Sequence, residues 1–311
     1  MFAALLIGLV VAVRLAAAGP ADEAPQARLL AYVLEPGDAR THTVELALDT
    51  RVAVRTGDEE VVRQTSTVAA FRVWSLGLRR AGAEATVIEV VVDDFRLGVL
   101  STTGSSVVEV TMDETGMAMR RDTGKARHVP WANVPRGRGG EVGELIGRPM
   151  WCTLDRRASA VKVDGRLAPW SRVLDSMDLT PLVLPLVPLP AAEVAPGVTW
   201  TVTGTRPVQL SHPWGKVELE SRTEVSLVGF EQHEGREAAR LAFEIVAAPV
   251  EARPRFTYEL SIKGDVLLGL DGAILGGEAA VTLAAAATVV DAQHELAGTG
   301  TVRFNPPQAN E

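Results

Sequence analysis

The sequence predicts a mainly β protein: one large curved antiparallel sheet, half-barrel-like or split into two related β halves, with one amphipathic helix near 169–179. Three observations predict it. Apolar and polar side chains alternate with a period of two through most of the chain, as half-buried strands require. Short turns rich in Gly, Asp and Pro separate the alternating runs at hairpin spacing. One stretch, LTPLVLPLVPLPAAEVAPGVTW at 179–200, breaks the alternation with Pro181, Pro185, Pro188, Pro190 and Pro196. Proline donates no ladder hydrogen bond and cannot sit in a central strand. The Leu and Val between these prolines are too apolar for a free linker, so the stretch reads as a buried extended crossover joining two β halves.

The chain opens with MFAALLIGLVVAVRLAAA, an apolar run followed by a small-residue site at Ala16, Ala17 and Ala18. That layout is a secretory signal peptide over 1–18. Cleavage after Ala18 and export to the periplasm or extracellular space are expected. The leader has no basic n-region and carries Arg14 late, which leaves a retained anchor as the alternative. The run is shorter than the roughly 20 residues of a membrane span. Pro and charged residues break every later apolar run, so the mature chain is expected to have no transmembrane span. Residues 19–28 read as a flexible lead-in.

The first β half, 29–178, starts with an apolar strand at 29–34 and a turn at Pro36, Gly37 and Asp38. At 41–54 Val44, Leu46 and Leu48 face one way and Thr43, Glu45 and Ala47 the other. Strands follow at 61–78 and 85–97, then a hairpin of 105–112 with 117–121 turning at Asp113 and Gly116. Residues 121–143 read as an exposed loop, and 147–154 pairs with 160–163. Pro169 opens the best helix candidate, since proline suits a first helical position. Trp170, Val173, Leu174 and Met177 fall at i, i+3, i+4 and i+7, one apolar stripe. Such a stripe must be buried, and the concave face of the sheet is the natural place. The helix ends by Thr180, because the residue before Pro181 disfavours helical backbone.

After the crossover at 179–195, the second half runs from 196 to 308. Strands are expected at 216–228, 237–246, 256–268, 273–287 and 299–304. Ala284 to Ala287 are flanked by Val and Thr, which favours strand over helix. The Pro-Gly turn and Thr/Val strand of LEPGDARTHTVEL echo in VAPGVTWTVTGT. A duplication and a shared hairpin grammar both produce such an echo.

Composition narrows the function classes. The 311 residues hold 39 acidic against 31 basic side chains, a net charge of -8. That balance disfavours nucleic acid and anionic membrane as partners. Cys152 is the sole cysteine, so no internal disulfide is available, and its distance from the leader rules out a lipobox.

The turn and core residues Pro196, Gly197 and Trp200, the Leu-Pro-rich run 184–190, and the pair Lys263-Gly264-Asp265-Val266 with Leu270-Asp271-Gly272 carry a likeness. The chain resembles a loose group of exported bacterial β-rich proteins of uncharacterised role. Those are similar in fold to the periplasmic lipoprotein-carrier (Lol-type) half-barrel, a curved sheet with helix in its hollow. The resemblance implies a fold and carries over no catalytic residue.

A search for chemistry finds little. His42, His128, His212, His233 and His294 lack metal-ligand spacing and read as solvent-facing; no metal site and no cofactor is expected. Asp93 and Asp94 are adjacent in a strand and point to opposite faces, unlike a glycosidase pair. Ser105 and Ser106 lack a nucleophile elbow. Cys152 reads as a buried inert thiol. Trp74 and Trp200 read as core plugs, while Trp131 and Trp214 sit in loops where contact residues are found. The expectation is a non-catalytic exported binding protein, not an enzyme. An apolar ligand or acyl chain would lie in the hollow against Trp170, Val173, Leu174 and Met177. The alternative is a structural or protein-interaction module of the cell envelope with a filled core.

Overall fold

The computed structural model describes residues 27–32, 37–80, 83–103, 106–113, 115–122, 124–134, 147–154, 161–163, 187–209, 215–252 and 254–306. The first meander comprises β1 (Ala39–Thr56), β2 (Glu59–Arg80), β3 (Ala83–Thr103), β4 (Ser106–Met112), β5 (Gly116–Arg121) and β6 (Arg127–Pro130). A side hairpin, β7 (Met150–Leu154) and β8 (Val161–Val163), follows. The second meander holds β9 (Thr199–Gln209), β10 (Lys216–His233), β11 (Arg236–Pro249), β12 (Phe256–Gly269), β13 (Ile274–Val289) and β14 (Ala292–Asn305). All pairings are antiparallel, and the strands form one curved half-barrel sheet.

Its order is β6-β5-β4-β3-β2-β1-β14-β13-β12-β11-β10-β9. The two meanders therefore join at a central seam, where β1 and β14 pair from Thr43↔Asn305 to Thr56↔Ala292. Among the described residues this path ends at β6 and β9. The β7–β8 hairpin branches from β3, which pairs with β4 over Leu97–Thr103 and with β7 over Thr86–Val90. Between those stretches the β2 register jumps from Ala70↔Asp94 to Phe71↔Val92. Asp93 is thus the extra residue of a bulge, a device that bends the bulged strand.

Alternation sets the two faces. Val44, Leu46 and Leu48 of β1 are buried while Glu45, Ala47 and Asp49 between them are exposed. Leu260 and Ile262 of β12 and Val281 and Leu283 of β13 continue the inward set. Ala285 and Ala287 point inward from β13, so the alanine run is strand as its flanks predicted. Neighbouring strands approach closely at the backbone on this inner face. A Cβ at Gly264 would run into Glu278 O and lie 2.5 Å from Ala279 Cα. Only glycine permits such contact between neighbouring strands.

The described strands depart from the sequence reading in two places, and two expectations lie outside them. The supposed loop 121–143 contains β6, which pairs with β5 through Gly116↔Pro130 to Met119↔Arg127. Among the described residues there is no α-helix, only a 3-10 turn at Trp131–Asn133. The helix predicted over 169–179 lies outside the described residues, as does the leader at 1–18. Trp74 is not a core plug. Val73 faces inward and is fully buried, so its neighbour must face outward, and Trp74 is 37% exposed.

Candidate functional site

The strands meet head to tail, so one rim of the hollow collects the start of β1, the end of β14 and the β10–β11 and β12–β13 turns. Two extended segments of the chain cross the hollow at this rim. One is 27–32, the other 187–195, the described part of the proline-rich crossover. They pair with each other: Arg28 N donates to Val194 O and Val194 N to Arg28 O, both at 2.9 Å. Leu30 and Tyr32 from the first, with Val187, Leu189 and Val194 from the second, belong to the same buried cluster as the inner sheet face.

Side chains pin this double strap. The Tyr32 hydroxyl donates to Val187 O at 2.9 Å. The Trp200 indole N–H donates to Pro188 O at 2.7 Å. Arg28 pairs with Glu237 at 2.7 Å and lies 5.0 Å from the centroid of the Phe230 ring. Arg40 reaches the β12–β13 turn, donating to Asp271 O at 2.8 Å. Trp200 packs against the core, as predicted for it.

Burial governs how Tyr32 and His42 behave inside the hollow. Burial pushes the Tyr32 hydroxyl above its ordinary value, and the hydrogen bond to Val187 opposes this only in part. Burial also lowers His42 from 6.5 to about 4. His42 is 7% exposed, and among the described residues its Nε2 has no hydrogen-bond partner. The expectation of solvent-facing histidines fails here because His42 shares its inward parity with Val44, across from Val73. Among the described residues the interior thus offers apolar surface, a neutral imidazole, the phenols of Tyr32 and Tyr258, and the buried threonines Thr50, Thr65, Thr67 and Thr223.

The outward face carries a second concavity. A trough of about 660 Å³ crosses several strands between Asp49, Gln64, Ser66, Leu100, Glu109 and Thr299. The small residues Ser66, Gly98 and Thr299 leave its floor open. Glu109 is tied to Arg120 in an ion pair. Among the described residues no three His, Cys, Asp or Glu side chains could hold a metal ion together.

Of the predicted site residues, Trp170, Val173, Leu174 and Met177 lie outside the described residues, as does Trp214. The Cys152 backbone is in β7, and its side chain lies outside the described set. Trp131 is half-buried and donates its indole N–H to Asp113 O at 2.8 Å, bracing the β4–β5 turn. Sequence reasoning missed Tyr32 and His42. The alternation of His42 with Val44 and Leu46 was the available signal for the second.

These features define a class by architecture: a curved antiparallel half-barrel whose concave face is crossed by its own chain. Comparison with protein-family models and with curated proteins finds no match. Among the described residues no helix is long and apolar enough to cross a membrane.

Proposed function

We propose that the protein is a non-catalytic exported carrier whose hollow takes an apolar ligand or acyl chain in competition with its own strap. One observation carries this reading. The inner face is apolar from β1 to β14 and beyond, and what crosses it at the rim is extended chain bearing Leu and Val. The strap's few side-chain hydrogen bonds contribute about 0.5–1.5 kcal/mol each, whereas each buried Leu or Val contributes about 1.5–3 kcal/mol. Apolar burial dominates its hold. An acyl chain gains about 0.8 kcal/mol per methylene, so a long chain brings on the order of 10 kcal/mol and competes on equal terms. The likeness to the lipoprotein-carrier half-barrel supports the same reading.

Burial of Leu30, Tyr32, Val187, Leu189 and Val194 favours a second reading, an envelope interaction module with a filled core. Titration of delipidated full-length protein with a fluorescent long-chain fatty acid separates the two. The carrier reading expects saturable uptake, competition by unlabelled fatty acid, and a shift of the Trp200 indole N–H resonance as it loses Pro188 O. Absence of saturable uptake, with a bare polypeptide mass for protein isolated from its native envelope, would overturn it in favour of the filled core.

A further inference from the structure

On the outward face of the sheet, separate from the hollow, two exposed tryptophans bracket a carboxylate. Trp74 of β2 lies directly across from Glu89 of β3. Glu89 in turn lies directly across from Trp151 of β7. Directly opposed residues of antiparallel strands share a face, so the three form one row, Trp–Glu–Trp, on three adjacent strands. Strand spacing of about 4.8 Å sets the bases of the two indoles about 10 Å apart with Glu89 between them. Trp74 is 37% and Trp151 41% exposed. Glu89 is half-buried, and among the described residues its carboxylate has no hydrogen-bond or ion-pair partner.

We propose that this row is a binding site for a quaternary ammonium group. Cation–π attraction acts within about 6 Å of a ring centroid. A cation centred above Glu89, about 5 Å from each indole base, is within reach of both rings and of the carboxylate. The methylated cation is selected over a primary ammonium or a guanidinium by donor counting. Those groups carry three or more N–H donors, and with one carboxylate to serve them most must keep their water, which holds them off the rings. A methylated ammonium has no donor to satisfy, and its methyl groups pack against the indoles. The acidic balance of the whole chain, net -8, favours the approach of cations over anions in general. The chemistry is common to free choline-like solutes and to the headgroup of a zwitterionic lipid.

The test titrates full-length protein with choline while following the six indole N–H resonances. The expected result is saturable shifts confined to two of them. Glu89→Gln, Trp74→Ala and Trp151→Ala should each weaken binding by roughly three- to fivefold, with thermal midpoints near that of the parent because all three side chains face outward. The neutral isostere 3,3-dimethyl-1-butanol should bind several-fold more weakly than choline. Equal binding of the isostere, unchanged affinity in all three variants, or no saturation would each overturn the proposal. Flotation with phosphatidylcholine vesicles that is lost in Glu89→Gln assigns the lipid headgroup as the source. Choline binding without flotation assigns the free solute.

Discussion

His42 shows how one inward position governs behaviour in solution. It sits in a row with Val73 and Val90 on β1, β2 and β3, and neither valine can accept or donate. Burial makes the charged imidazolium costly, which lowers the pKa from 6.5 to about 4. Between these values the unfolded chain binds the proton more readily than the folded one. Stability from this group is therefore fully present above pH 6.5 and falls as the pH drops toward about 4, by roughly 3 kcal/mol in all. His42→Leu removes both the titration and an unpartnered buried nitrogen, a defect worth about 1–3 kcal/mol. Urea unfolding of parent and variant at pH 7.5 and pH 4.5 should show the variant more stable at both, with the larger gap at the acid end. Carboxylate titrations are common to both chains and cancel in that difference. A gap independent of pH would mean that His42 is not held neutral by burial.

At the scale of strands, two glycines of opposite surroundings test the close approach of neighbouring backbones. At Gly264 a Cβ would meet the backbone of β13, Glu278 O and Ala279 Cα. Gly98 faces the outward trough, and a Cβ there would lie 3.9 Å from Ser66 O, an ordinary contact. Gly264→Ala must push β12 away from β13 and is expected to cost on the order of 3 kcal/mol, an overpacking penalty that the main chain cannot relieve by rotamer change. Gly98→Ala is expected to be neutral or slightly stabilising, since strand interiors disfavour glycine. Thermal melts of the two variants decide it, and equal melts would show that β12 and β13 have room for a Cβ at Gly264. The same elements mark what was legible beforehand. Strand identity followed from alternation, as in Val44, Leu46 and Leu48. Strand β6 did not, because RHVP offers one apolar residue and ends in proline, which reads as loop unless its edge position is known. The outward orientation of Trp74 was readable from its neighbours Phe71 and Val73, but size alone argued for the core. The row with Glu89 and Trp151 was not readable, because it depends on the bulge at Asp93 and on β7 branching from β3. The trough was equally hidden, since Asp49, Ser66, Gly98 and Thr299 meet only through three strand pairings.

For the whole molecule the decisive fact is the order of the strands. Read across the sheet from edge to edge, the chain runs β9 to β14 and then β1 to β6, a single meander cut and rejoined. The native connection between the two runs is the crossover, whose described part 187–195 lies in the hollow and leads to the edge strand β9. The central seam, β1 with β14, is formed by residues near opposite ends of the chain, although both strands have their ends at the same rim. Alternation within a hairpin fixes local pairs, but nothing in local patterning says which edges meet, so this seam could not be foreseen. It should dominate folding kinetics. Closing a loop of ~240 residues costs roughly 2 kcal/mol more than closing one of ~20, and non-local pairings slow folding. A circular permutant that starts at Val187, runs to Pro306, and continues through a flexible linker into Ala27 makes the seam a local contact. Its linker must span the rim, so about fifteen Gly and Ser residues in place of 307–311 are suitable. This permutant is expected to keep the far-ultraviolet dichroism of the parent and to refold about tenfold faster or more in stopped-flow dilution from urea. A permutant that folds at the parent's rate would place closure of the β1–β14 seam after the rate-limiting barrier, with each meander, rather than their junction, setting the speed.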